Sequence, residues 1–211
     1  MKPRYDPRLF LGLTTSRTVQ SKLEACQADI RKHLFNWHFI PPTNFHVTLH
    51  FIGEVSESQI PQIDEAMFKL ARRMGPFTLE WCGIGFFGEP DNARVLYVEA
   101  RPCEALSELA ANIAEIIPTS RARKEFSPHI TLAKARKQME PETREMNANM
   151  LRRLQTHKRI GPEPVEIEFN TVHREYMLME TVWVGRMISY DVRQRYPLGR
   201  TDPAPSGLGY Y

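Results

Sequence analysis

Two short stretches far apart in the chain share one pattern. Phe45-His46-Val47-Thr48-Leu49-His50-Phe51-Ile52-Gly53 and Phe126-Ser127-Pro128-His129-Ile130-Thr131-Leu132 each set histidine, an apolar residue, threonine and leucine inside an apolar run of strand character. Side chains alternate along a strand, so His46 and Thr48 share one face while Val47 and Leu49 pack behind. His129 and Thr131 stand in the same way before Ile130 and Leu132. At a rise of about 3.3 Å per residue, an imidazole and a hydroxyl two positions apart are roughly 6–7 Å apart. Two such strands face to face would surround a small anion with two titratable rings and two hydroxyls. A phosphate ester suits that arrangement.

The chain of 211 residues, 42% hydrophobic and 25% charged, is expected to form one globular domain or one domain of two lobes. That composition argues against disorder. No apolar run approaches the ~20 residues of a membrane helix. The first eight residues carry basic side chains without the apolar core of a signal peptide. Cys26, Cys82 and Cys103 are odd in number, widely spaced and without a Cys-x-x-Cys pair, which predicts free thiols in a reducing cytoplasm. The formal charge of +3 is mild, but Arg121, Arg123, Lys124, Lys134, Arg136 and Lys137 stand against only Glu125 around the second motif. Such a cluster is usually a solvated face, and its place around the second motif raises the expectation that it attracts a phosphate backbone.

Along the chain, residues 9–13 read as a strand, and Thr14-Thr15-Ser16 opens a helix whose apolar stripe is Leu23, Cys26, Ile30 and Leu34. A short strand at 37–40 precedes the first motif, and Gly53 ends the motif strand. Ser56 or Ser58 caps a second helix running to Met74, and residues 77–85 and 94–100 form a strand pair. A third helix spans about 103–117 and leads through the basic segment to the second motif. The polar stretch 142–157 is expected to be a helix at the periphery, inserted into the fold. Strands are expected at 165–170, 175–181 and 183–190. The domain is drawn as 1–197, with a flexible tail over 198–211. The order of elements repeats weakly around the two motifs, which suggests two similar lobes related by a pseudo-two-fold axis.

Other chemistries fit less well. On a regular strand His46 and His50 share a face but lie roughly 13 Å apart, too far for two ligands of one ion. No nucleophile elbow and no phosphate-binding glycine loop is present.

The paired His46-x-Thr48-Leu49 and His129-x-Thr131-Leu132 resemble the signature of the two-histidine phosphoesterases. Within them, residues 42–55 and 126–134 are similar to the motifs of bacterial and archaeal RNA 2′,3′-cyclic phosphodiesterases, also called 2′-5′ RNA ligases. The resemblance extends over roughly residues 9–197 and implies a bilobal α+β fold, with two lobes of antiparallel sheet and helices around a central cleft. It implies His46 and His129 as catalytic residues and Thr48 and Thr131 as phosphate-binding residues, with no metal and no cofactor. The implied partner is RNA with 2′,3′-cyclic phosphate ends, tRNA halves among them, met by a monomer in the cytoplasm without a membrane.

Five residues after the second histidine the family often carries arginine, and here Lys134 stands there, a point charge without the bidentate fork. The corresponding position of the first motif is Phe51, which the resemblance places beside a nucleobase and which could equally be core. Strict alternation turns both away from their histidines, so a role for either requires a bulge. The expected reaction is metal-independent hydrolysis of the cyclic phosphate, and the resemblance implies His129 as general base and His46 as general acid to the 3′-oxygen, leaving a 2′-phosphomonoester. Run in reverse it would join a 5′-hydroxyl without ATP. The rivals are a phosphodiesterase for 2′-5′ oligoadenylate or small cyclic nucleotides, and a non-catalytic RNA-end-binding module.

Overall fold

The computed structural model describes residues 6–119, 126–160, 163–164, 167–185 and 187–199. Within them, β1 (Arg8–Thr14) leads into α1 (Arg17–Arg31), where the Ser16 side chain accepts the Val19 N–H at 3.4 Å. Val19, Leu23, Gln27 and Ile30 form its buried stripe. β2 (Trp37–Phe39), a 3-10 turn at Pro42–Asn44 and β3 (His46–Glu54) follow. Ser56 and Gln59 form a capping box ahead of α2 (Ile60–Arg73). Then come β4 (Phe77–Phe87), β5 (Val95–Ala100), α3 (Glu104–Ile116), β6 (His129–Ala135) and α4 (Pro141–His157). A small pair, β7 (Arg159–Ile160) and β8 (Glu163–Pro164), precedes β9 (Phe169–His173), β10 (Glu175–Val184) and β11 (Met187–Pro197).

Besides the β7–β8 pair, the described strands form two antiparallel sheets, ordered β11-β10-β1-β3 and β2-β6-β5-β4-β9. Each sheet holds one His-x-Thr strand, and β3 contacts β6. The bilobal α+β expectation is met. The lobes are not halves of the sequence, however. β2 comes from the first half yet caps the second sheet through Trp37, His38 and Phe39, while the C-terminal β10 and β11 complete the first. Gln27 of α1 bridges the two halves, donating to the carbonyls of Ile40 (2.9 Å) and Leu132 (2.7 Å). One continuous core runs from Leu11, Leu13 and Leu23 to Leu79, Leu96, Val98 and Ile130.

Three expectations need correction. α4 is not a peripheral insertion: Ala148, Met150, Leu151 and Leu154 are buried, and Asn147 clamps the Phe35 backbone through both its N–H (2.9 Å) and its carbonyl (2.8 Å). Its polar residues hid a narrow apolar stripe. The expected strand 183–190 spans a turn at Gly185, whose φ of +64° belongs to the left-handed region, so β10 and β11 are a hairpin. Leu198 is buried and the Gly199 N–H donates to the Ala71 carbonyl at 3.0 Å, so the fold continues past residue 197. Residues 121–125 of the basic segment and 200–211 of the expected tail lie outside the described residues.

Candidate active site

The site begins with two bulges at the same place in each motif. Between β1 and β3, Gly12 faces Thr48 and Leu11 faces His50, so Leu49 is an extra residue on β3. Between β5 and β6, Tyr97 faces Thr131 and Leu96 faces Ala133, so Leu132 is extra on β6. Both lie three positions after the histidine. A bulge reverses the side-chain parity beyond it. Phe51 therefore returns to the face of His46 and Thr48, and Lys134 to the face of His129 and Thr131, as a role for either requires. The same bulge corrects the reading of His50, which pairs with the buried Leu11 and turns to the core side, away from His46.

The two histidines are held alike. His46 Nδ1 lies 2.7 Å from the carbonyl of Asn44, and His129 Nδ1 lies 2.8 Å from that of Ser127. A carbonyl oxygen only accepts, so Nδ1 carries the proton in both rings and Nε2 is left as the lone-pair nitrogen. His46 Nε2 lies 3.1 Å from Thr48 Oγ1, and the neutral ring accepts the hydroxyl proton there. Among the described residues Thr131 makes no such bond to His129.

Each ring also sits in an aromatic collar that the sequence did not reveal. Phe10 and Tyr190 flank His46 at centroid distances of 5.1 and 4.7 Å, and Phe87 and Tyr97 flank His129 at 4.9 and 5.2 Å. Tyr190 arrives from the last strand, so only the closed fold brings it to His46. Two glycines make room: a Cβ on Gly12 would meet the Val47 carbonyl at 2.7 Å, and one on Gly85 would meet the Tyr97 ring at 2.8 Å. Phe51, 52% exposed and therefore not core, meets Phe10 at 5.9 Å.

These collars set the electrostatics. Burial pushes the His46 imidazole down to about 4; its bond to Asn44 opposes this, and the charges of Lys134 and His129 add to the depression. His129 is lowered by burial first, against the Ser127 bond, and then by Lys134. Lys134 thus acts on both rings, so the one cation of the two motifs serves both. A bound anion would reverse the imbalance, because a negative charge between the rings favours their protonated forms. Among the described residues no group of three or more His, Cys, Asp or Glu side chains could hold a metal ion.

The fold and this geometry have relatives. The family model for LigT like phosphoesterase matches residues 13–97, which include the first motif. The RNA 2′,3′-cyclic phosphodiesterase of Thermus thermophilus is 32% identical over 136 residues, covering 60% of this chain and 68% of that protein. The chain belongs to the LigT-like phosphoesterase family. The Aquifex aeolicus protein of the same name is 27% identical over 135 residues, covering 60% of the chain and 70% of its own length. Among solved structures, a Thermus thermophilus protein superposes with a TM-score of 0.71 at 25% identity, covering 92% of this chain and all (100%) of that one. Apo LigT of E. coli has a TM-score of 0.67 at 21% identity, over 93% and 99% of the two chains, and shares the fold.

Proposed function

We propose that this LigT-like phosphoesterase is an RNA 2′,3′-cyclic phosphodiesterase that opens the cyclic phosphate to a 2′-phosphomonoester. The observation that carries the reading is the matched pair of imidazoles on the contacting strands β3 and β6, each with Nδ1 tied to a backbone carbonyl and Nε2 left as the lone-pair nitrogen. The relatives' shared name supplies the substrate class. His46 and His129 are the catalytic residues, Thr48 and Thr131 bind the phosphate, and Phe51 and Lys134 bind substrate. A neutral ring takes a proton from water as the water oxygen bonds to phosphorus. The P–O3′ bond breaks, and the other ring, protonated, gives its proton to the leaving 3′-oxygen. The hydroxyls and Lys134 stabilise charge on the non-bridging oxygens. The rings need no metal ion to exchange these protons. With a 5′-hydroxyl in place of water, the same base takes its proton as its oxygen bonds to phosphorus, the P–O3′ bond breaks with protonation of the 3′-oxygen, and a 2′-5′ linkage forms without ATP.

In this reading His129 is the base and His46 the acid. The deeper depression of the His46 ring, with the Thr48 hydroxyl already on its Nε2, favours the opposite assignment. A 3′-thio cyclic phosphate, whose leaving group needs little protonation, separates the two readings. The chain acts as a cytoplasmic monomer on RNA ends such as those of tRNA halves, a setting that suits the free thiols of Cys26, Cys82 and Cys103. No helix among the described residues is long and apolar enough to cross a membrane.

The test is incubation of the chelator-treated protein with a short RNA ending in a 2′,3′-cyclic phosphate, followed by identification of the product. A 2′-phosphate is expected. Binding without turnover would leave an RNA-end-binding module, and preference for 2′-5′ oligoadenylate or for a small cyclic nucleotide would change the substrate while keeping the chemistry.

A further inference from the structure

The β10–β11 hairpin outruns the sheet that carries it. β1 pairs with β10 only between Met177 and Glu180, whereas β10 and β11 stay paired to Val184 and Met187. Among the described residues the last four rows are therefore a two-stranded ribbon, and its end is apolar and exposed: Trp183 is 63% and Ile188 38% accessible. An isolated ribbon gains little from exposing such side chains, and a large apolar patch on a surface marks a contact.

Pairing fixes which way these side chains point. Directly opposed residues of an antiparallel pair share a face, and so do residues two apart. Tyr190 touches His46 and Phe10, and it faces Thr181. Two positions along, Ile188 faces Trp183, with no bulge between. Trp183 thus stands on the same face as the ring that collars His46. The ribbon is tied to the motif as well, because Asn44 Nδ2 donates to the Ile188 carbonyl at 2.7 Å and the Asn44 carbonyl holds His46 Nδ1. The exposed indole is one cross-strand pair and two hydrogen bonds from that histidine. Thr181, two rows nearer the sheet, lines a hollow of about 330 Å³ with Phe10, Phe51 and Arg8.

We infer that Trp183 is a stacking platform for the nucleobase immediately upstream of the terminal nucleotide of a single-stranded RNA, and that it makes the enzyme prefer oligonucleotides to cyclic mononucleotides. This rests on the phosphodiesterase reading above. With the terminal phosphate between the histidines, the next base must leave along the cleft rim, where a flat, uncharged and exposed ring is available. Base–aromatic stacking is sequence-tolerant, as a processing enzyme for varied ends requires. Thr181, Tyr190, Ile188 and Trp183 are uncharged along this face, so nothing on it repels a phosphate backbone.

The chain's composition provides a direct probe. Of its three tryptophans, Trp37 and Trp81 are buried and only Trp183 is exposed. Titration with a tetranucleotide ending in a 2′-phosphate, which cannot turn over, should quench or shift the tryptophan emission, and a 2′-phosphomononucleotide should not. Trp183→Ala should abolish that signal. It should also lower the kcat/KM preference for a cyclic-phosphate tetranucleotide over the cyclic mononucleotide roughly ten-fold through KM, the scale of one stacked base. Trp183→Phe should keep most of the preference. RNA hydrolysed normally with emission and preference unchanged in Trp183→Ala would overturn the inference alone. Absence of binding and of turnover with every RNA would overturn it together with the phosphodiesterase reading. A Trp183→Ala variant that alters sedimentation but not RNA preference would show that the ribbon meets protein, and would overturn it too.

Discussion

Lys134 and His129 share a face of β6 because Leu132 is an extra residue between them. Without it, strict alternation would send the ammonium to the opposite side. The same arrangement brings Phe51 back to His46 past Leu49. Two equivalent bulges thus convert two ordinary strands into two walls, each with histidine, threonine and one further side chain, Phe51 or Lys134, on the same face.

Removing the charge at Lys134 should therefore act on both histidines. Lys134→Met should raise the pKa of His46 and of His129, since the ammonium lowers both. It should weaken phosphate binding by about ten- to hundred-fold, on the scale of ~1.5–3 kcal/mol for a hydrogen bond to a charged group. NMR titration of the ring carbons and calorimetry with inorganic phosphate test the two parts. Lys134→Arg should retain binding.

Loss of either ring should stop proton transfer. His46→Ala and His129→Ala are each expected to lower turnover by ~100-fold or more, and the double variant by far less than the product of the two. A 3′-thio cyclic phosphate has a leaving group that needs little protonation. It should rescue His46→Ala and not His129→Ala; the reverse pattern would exchange the roles. Thr48→Ala and Thr131→Ala should be milder.

Acid should unfold the ligand-free protein earlier than its carboxylates alone require. His46 and His173 are both held down to about 4 by burial, against an ordinary value of 6.5. Above 6.5 they are neutral in both states. As pH falls from 6.5 towards 4 the unfolded chain takes up protons that the fold refuses, so stability declines across that window and the loss is complete below it. His173→Asn should flatten the slope of denaturant midpoint against pH, and inorganic phosphate should flatten the part due to His46.

Gly12→Ala tests the close approach beside Thr48. The new Cβ would press on the Val47 carbonyl, a backbone atom that cannot swing aside. A loss of about 1–3 kcal/mol is expected, with turnover reduced because β1 and β3 must part. Gly85→Ala presses only on the Tyr97 side chain. It should cost less stability and shift the His129 titration, which NMR can follow.

The sequence by itself determined the local chemistry. A period of two, the residue types and the duplicated motif assigned His46, Thr48, His129 and Thr131 to two strands, and Ser16 and the apolar stripes placed the first three helices. These depend on neighbours within a few positions. α4 was legible as a helix but not as core, because its apolar stripe is narrow and its clamp, Asn147, finds Phe35 more than a hundred residues away. Tertiary structure alone decided the rest. The bulges at Leu49 and Leu132 are set by pairing with β1 and β5, partners that no local pattern names. The exchange of β2 into the second sheet and the arrival of Tyr190 beside His46 are long-range closures of the same kind. The depressed histidines follow from them, because desolvation depends on what the whole chain packs around a ring and not on the residues beside it in sequence.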